Sequence, residues 1–139
     1  MAQALDADQI GALSDAFTDL ADAVRAILND ESIPLTRGQG AALSSDLTTL
    51  GTIASNLATT AASVAFDDSQ SAFTDLSRIT KDANDEARRL SANAAHITAV
   101  VNVIGAFVSV GTSFGSGPGA VLGALGNLAT AVNASKATA

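Results

Sequence analysis

The side chains with the greatest capacity for chemistry in this sequence lie between residues 78 and 89. This segment holds three acids and four bases: Arg78, Lys81, Asp82, Asp85, Glu86, Arg88 and Arg89. Asp82 and Glu86 are four residues apart, so a helix would place both carboxylates on one face, where a pair can act as general acid and base. The same spacing between Arg78 and Asp82, and between Asp85 and Arg89, predicts ion pairs on a solvated helix face. We favour the solvated face and predict no catalytic residue.

Two other patterns are similar to known binding loops, but each lacks an essential part. Residues 115–120 fit a loose G-x-G-x-x-A dinucleotide pattern, yet no acid follows to bind a ribose and no lysine directly follows to bind phosphate. Asp6 and Asp8 have the opening rhythm of an EF-hand, but Phe17 stands where the loop needs a bidentate Glu. We therefore interpret residues 115–120 as a flexible loop and Asp6 as a helix cap.

His96 is the single histidine, and the chain contains no cysteine. No serine, cysteine or carboxylate is spaced around His96 in a catalytic or metal-binding pattern. A neutral histidine on a surface or interface is the interpretation we favour, and a pH sensor is the alternative. We predict no metal and no cofactor.

The charge is unevenly distributed along the chain, and this bears on its partners. Residues 1–70 hold ten acids and two bases, whereas residues 71–139 hold four acids and five bases. A phosphate backbone is bound by clustered Lys and Arg, so we expect no nucleic-acid partner.

The N-terminal residues lack a basic region followed by an apolar one, so we expect no secretory signal. The compartment stays open between the cytoplasm, a mature form whose signal has been removed, and export without a cleavable signal.

Two helices are predicted in the N-terminal half, at residues 6–29 and 37–66. Each starts with a capping-box pattern, Asp6 with Gln9 and Thr36 with Gln39. Their apolar residues alternate by three and four, as in a heptad seam. The first seam is Ile10, Leu13, Phe17, Leu20, Val24 and Ile27; the second is Leu43, Leu47, Leu50, Ala54, Leu57, Ala61 and Val64.

A third helix is predicted over residues 68–110, capped by Asp67. Its seam is Phe73, Leu76, Thr80, Ala83, Ala87, Leu90, Ala94, Ile97, Val101, Ile104 and Val108. Such a helix would be about 60 Å long at 1.5 Å per residue. Residues 100–110 are rich in β-branched side chains, which suit a strand, but the unbroken seam favours a helix.

Glycines and Pro118 between residues 111 and 119 predict a break, followed by a short fourth helix over residues 120–133. Its seam is Leu122, Leu125, Ala129 and Val132. The predicted fold is all-α: residues 1–139 form a single domain, an antiparallel bundle of three long helices with coiled-coil-like seams. The fourth helix and the end of the third form an apolar C-terminal hairpin over residues 97–132.

The hairpin is the segment that suggests a function. No Asp, Glu, Lys or Arg occurs between Leu90 and Ser135, and glycines recur every four residues from Gly111 to Gly123. Small residues at this spacing let helix backbones approach closely, as in membrane helix pairs. The candidate interface or membrane residues are Ile97, Val101, Ile104, Val108, Gly111, Gly115, Gly119, Leu122, Gly123 and Leu125.

These observations predict a non-enzymatic interaction or assembly protein that forms homo-oligomers, or binds partner helices, through the hairpin. The first alternative is a protein that releases residues 97–132 into a lipid membrane. In architecture alone, such a protein resembles the α-helical pore-forming toxins, which keep an apolar hairpin beside long helices. The second alternative is a carrier whose hairpin lines a pocket for an apolar small molecule.

Overall fold

A computed structural model describes residues 3–62, 64–92 and 96–136, and these residues are almost entirely helical. The helices are α1 (Ala7–Asn29), α2 (Arg37–Ala62), α3 (Ser69–Ser91), α4 (Ile97–Ser113) and α5 (Pro118–Lys136). A 3-10 turn, Phe114–Ser116, joins α4 to α5, and two two-residue strands, β1 (Gln3–Ala4) and β2 (Ala65–Phe66), pair antiparallel. The predicted all-α class is confirmed.

The helix starts follow the local sequence closely. Both predicted capping boxes form: Asp6 accepts from the Gln9 amide at 2.8 Å, and Thr36 accepts from the Gln39 amide at 3.1 Å. The cap of α3 is one residue later than predicted, because Asp68 rather than Asp67 accepts from the Ser71 amide. Side-chain acceptors satisfy backbone amides that have no partner in the first helical turn, so these starts are set locally.

The helices pack in an order that places α4 among several neighbours. α1 packs on α2 and α3; α4 packs on α2, α3 and α5; and α5 also packs on α3. Side-chain contacts give their directions: Gln9 reaches Gln70 while Arg88 reaches the Asp19 carbonyl, so α1 and α3 run the same way. α2 and α4 also run in a common direction, since Gln39 reaches Thr98 near one end and Ile53 lies against Gly111 near the other.

The core is apolar and continuous, and the seam predicted for α1 is entirely buried within it. Phe17 of this seam meets Phe107 of α4 edge to face, with ring centroids 4.9 Å apart. Edge-to-face packing sets the positive rim of one ring against the negative face of the other. This contact fixes α4 against α1, a helix far away in sequence.

The predicted helix over residues 68–110 is wrong. α3 ends at Ser91 with Ala92 as its C-cap, and α4 begins at Ile97. A continuous helix would extend beyond α1 and α2 and expose its apolar second half, whereas two separate helices bury both halves against each other. The seam residue Ala94 lies outside the described residues.

Three other predicted boundaries also differ. α2 ends at Ala62 rather than at residue 66, because residues 65–66 pair with residues 3–4. The last helix runs from Pro118 to Lys136 rather than over 120–133. Proline suits the first position of a helix, where its missing amide hydrogen has no partner to lose. Gly117 precedes it with a φ of 101°, a conformation that glycine adopts without strain.

Candidate interaction surface on α4 and α5

The structure divides the ten predicted hairpin residues between the core and the surface. Ile97, Ile104, Gly111 and Leu125 are buried, and Val101 and Val108 are half-buried. Gly115, Gly119, Leu122 and Gly123 are exposed. These ten residues therefore do not form one surface of the folded chain.

The buried face of α4 is rotated from the predicted seam. Its inward residues are Ile97, Val100, Val103, Ile104, Phe107, Val110 and Gly111. Val101 and Val108 lie beside this stripe because the helix starts afresh at Ile97 and does not inherit the phase of α3. α5 is rotated similarly: Val121, Leu125, Leu128 and Val132 are buried, whereas the predicted seam residue Leu122 is 47% exposed.

Gly111 is the one glycine of the four-residue series that tight packing requires. A Cβ at Gly111 would lie 2.6 Å from Cδ1 of Ile53 and 2.9 Å from Cε1 of Phe17. By contrast, a Cβ at Gly115, Gly119 or Gly123 would have nothing within 4 Å. Close helix packing within the chain thus explains the first glycine of the series and leaves the other three without an intramolecular reason.

Charged side chains are concentrated on two of the five helices. α1 and α3 carry 13 of the 21 acidic and basic residues. α2 carries Arg37 and Asp46, α5 carries Lys136 as its last residue, and α4 carries none. Interfaces are depleted in charge at their centres, so this distribution singles out α4 and α5 as candidates for contact with another surface.

The exposed residues of α4 and α5, apart from Lys136 at the end of α5, are hereafter the uncharged surface. All but Leu122 are small or polar: Thr98, Asn102, Ser109, Thr112, Pro118, Gly119, Leu122, Gly123, Gly126, Asn127, Thr130, Asn133 and Ala134. Leu122 is the one exposed large hydrophobic residue among those the structure describes. The uncharged surface therefore consists mainly of small and polar side chains, with one large apolar side chain.

Hydroxyl groups on these helices already have hydrogen-bond partners. Ser109 donates to the Gly105 carbonyl at 3.1 Å, and Thr130 donates to the Gly126 carbonyl at 3.0 Å. The second half of α2, next to α4, shows the same pattern, with Thr52 donating to Thr48 and Ser55 to Gly51. Burying a hydroxyl is costly mainly when its hydrogen bond is lost, so removing these groups from water costs little.

Three of the surface grooves bear on small-molecule binding. The groove between α4 and α5 has a volume of ≈ 400 Å³ and is lined by His96, Thr98, Asn102 and Ser135 among others. A second, of ≈ 370 Å³, lies between Leu122 and the acids at the start of α3. The most apolar groove, of ≈ 410 Å³, lies between α1 and α2, where Leu5, Ile10, Gly11, Ala54 and Ala58 line it. Ala99, Ala131 and Ala134 also line the groove between α4 and α5, so its lining is mixed, and the carrier of an apolar small molecule stays a prediction.

The burial of Glu86 was not predicted from the sequence. Glu86 was assigned to a solvated face, but it is 6% exposed, and both its oxygens accept hydrogen bonds from Arg89, at 2.8 and 2.9 Å. The predicted pairs Arg78–Asp82 and Asp85–Arg89 are wrong, since Arg78 pairs with Asp75 and Arg89 with Glu86, three residues apart. The burial of Glu86 could have been predicted from its spacing, because it lies three residues after the seam residue Ala83 and four before Leu90, on the buried side of the helix.

Among the described residues, no group of three or more His, Cys, Asp and Glu side chains is arranged to hold a metal ion. One stretch, Ile97–Ser116, is long and apolar enough to cross a membrane, with a mean hydropathy of 1.8, and 44% of it is buried in the bundle. Length and composition alone support this, and a buried core helix has the same properties.

Comparison with protein-family models, curated proteins and solved structures finds no match to this chain.

Proposed function

We propose that this chain is a non-enzymatic helical assembly protein that binds further copies of itself through the uncharged surface. The observation that carries this proposal is the segregation of charge, which leaves α4 and the first 18 residues of α5 without one charged side chain. Exposed helices of soluble proteins usually carry both signs of charge, which keep them hydrated and apart.

The exposed glycines support contact with another backbone. Gly119, Gly123 and Gly126 lie on the exposed side of α5, and no neighbouring atom within the chain requires them to lack a side chain. Glycine weakens a helix relative to alanine. A close approach by a helix of a second copy is a physical reason for their presence, and Leu122 beside them would supply an apolar anchor.

Self-association would need only a small part of the surface of the folded chain. A standard interface buries about 800 Å² on each partner. The folded chain exposes 6810 Å², so an interface of this size occupies a small part of it. The contact would use the predicted residues that are exposed, Gly115, Gly119, Leu122 and Gly123, while Ile97, Ile104, Gly111 and Leu125 would stay in the core.

Light scattering on two matched variants tests this proposal. Thr130→Lys places a charge on the uncharged surface, and Thr18→Lys places the same charge on the exposed side of α1 as a control. We expect the natural chain and Thr18→Lys to have masses of two or more chains. Thr130→Lys should approach the single-chain mass of 13.8 kDa, because a lysine buried in a contact loses its hydration. A natural chain that stays at the single-chain mass up to high concentration would contradict the proposal.

Membrane insertion is the second candidate, and the apolar stretch Ile97–Ser116 supports it. Its inward residues, Val100, Ile104 and Phe107, are fully buried, so insertion would require α4 and α5 to leave the bundle as an apolar hairpin. Flotation with liposomes, combined with a dye-leakage assay, distinguishes the two candidates. Co-flotation with leakage would favour insertion, and absence of both, together with a multi-chain mass, would favour assembly.

A further inference from the structure

Glu86 carries the one buried charge among the described residues. A carboxylate in such a place is strongly disfavoured unless ion pairs and hydrogen bonds compensate for its lost hydration. The compensation comes from two helices. Arg89 on α3 donates two hydrogen bonds to Glu86, and Ser135 in the last turn of α5 donates a third at 2.7 Å.

Ser135 has a choice of acceptor. Its hydroxyl oxygen lies 2.7 Å from Oε2 of Glu86 and also 2.7 Å from the carbonyl oxygen of Val132 within α5. A hydroxyl has one hydrogen to donate, and an ionised carboxylate is the stronger acceptor. The charge on Glu86 therefore directs this hydrogen across to α3. Arg89 adds a longer contact from its guanidinium to the Ser135 carbonyl at 3.4 Å.

The remainder of α5 is held by apolar packing on α3 and α4. Its inward side offers the four apolar residues Val121, Leu125, Leu128 and Val132. Its interior contains Gly123 and Gly126, where a side chain would meet no neighbour, and each lowers helix stability relative to alanine. A charged cluster at the far end of such a helix has a large influence on whether the helix stays docked.

We infer that Glu86, Arg89 and Ser135 form a latch that keeps α5 docked, and that α5 is the first helix to separate when this cluster is broken. Loss of the Glu86 charge frees the Ser135 hydroxyl to bond the Val132 carbonyl within its own helix, so α5 gives up this hydrogen bond to α3 without leaving that hydroxyl unpaired. Departure of α5 uncovers apolar side chains of α3 and α4, the two helices on which it packs. The latch acts within one chain and does not depend on self-association.

Hydrogen–deuterium exchange, read by mass spectrometry on the full chain, tests the latch. We expect Ser135→Ala to speed exchange in peptides from residues 121–136 about tenfold, equivalent to about 1.4 kcal/mol. Peptides from α1 should change less than about twofold. Thr74→Ala is the matched control, because the exposed Thr74 hydroxyl on α3 donates to the Gln70 carbonyl of its own helix and lies outside the uncharged surface. It should leave exchange in α5 close to that of the natural chain.

A second pair of variants tests the charge. Glu86→Gln keeps the shape of the side chain, and Glu31→Gln makes the same change at an exposed loop position. Glu86→Gln should speed exchange in α5 at least as much as Ser135→Ala, and the double variant should add little, because both changes break the same contact. Equal acceleration in α1 and α5, or unchanged exchange in α5 in both variants, would overturn the inference.

Discussion

α1 and α3 expose carboxylates, guanidinium groups and an ammonium group to solvent, whereas α4 and α5 expose mainly hydroxyls, amides and glycines. Both pairs of helices contribute to the same apolar core, with seams of similar spacing. The difference therefore lies on the outward side and is not needed to build the bundle. Because folding does not explain the lack of charge on α4 and α5, a role in binding is a physical reason for it.

Two glycines of α4, one packed tightly against the core and one with open space at its Cβ position, offer the strongest test of this comparison. We expect Gly111→Ala to lower the free energy of unfolding by about 1–3 kcal/mol, because the added methyl group overlaps Ile53 and Phe17. Gly105→Ala on the same helix meets no neighbouring atom and should raise stability by about 0.5–1 kcal/mol. Urea denaturation of both variants measures this. Similar effects at the two positions would mean that α4 does not pack as described.

The buried carboxylate of Glu86 on α3 predicts that the free energy of unfolding depends on pH, and this effect is of intermediate size. Hydrogen bonds from Arg89 lower the pKa of Glu86 below its ordinary value of 4.5; burial opposes this, while Ser135 and the positive charges of Arg89 and of Lys136 on α5 reinforce it. Because the pKa is lower in the folded chain, the stabilisation is complete well above pH 4.5 and is lost as the pH falls through the folded value.

Denaturation of the natural chain and Glu86→Gln across pH isolates this contribution. We expect the natural chain to be more stable by about 1–2 kcal/mol at pH 7, since hydrogen bonds to charged groups are the stronger ones. The gap should narrow as the pH falls below 4.5. Burial raises the pKa of Asp46, which acts in the opposite direction, but this group is common to both chains and cancels in the difference. A gap that is independent of pH would show that the charge of Glu86 is unimportant.

The smallest expected effect concerns the charged helices themselves. Arg25 pairs with Asp22 at 2.9 Å, but both side chains are more than half exposed, at 58% and 60%. Water screens such a pair, so Arg25→Ala should cost only about 0.2–0.5 kcal/mol in thermal or urea unfolding. A loss above about 1 kcal/mol would indicate that the charges on α1 stabilise the fold, and would weaken the contrast between the two pairs of helices.

The features that local interactions determine were predicted correctly from the sequence. The capping boxes at Asp6 and Thr36 formed as expected, because a side chain and an amide three residues apart meet in any helix start. The seam of α1 was also correct, since one uninterrupted helix keeps one buried face. The absence of charge in residues 91–135 is a property of the sequence and needed no structure.

The candidate surface was only partly predictable. A periodic pattern of apolar residues does not reveal that a helix stops and restarts, so the seam that ran correctly to Leu90 was continued with the wrong phase past Ile97. This error placed Val101 and Val108 inside and overlooked Phe107. The separately predicted seam of the last helix was also rotated, so that it placed Leu122 inside and overlooked Val121. Likewise, the glycine series gave no sign that Gly111 faces the core while Gly119 and Gly123 face outward.

The sequence by itself thus determined that the chain is helical, where most helices begin, and which of them carry charge. Tertiary structure alone decided that α3 and α4 are separate helices, which side of α4 and α5 is buried, and that Glu86 is removed from water. The physical reason is range: caps and helix propensity act over three or four neighbours, whereas burial depends on which distant helices meet. Glu86 is placed by Ser135, 49 residues further along the chain.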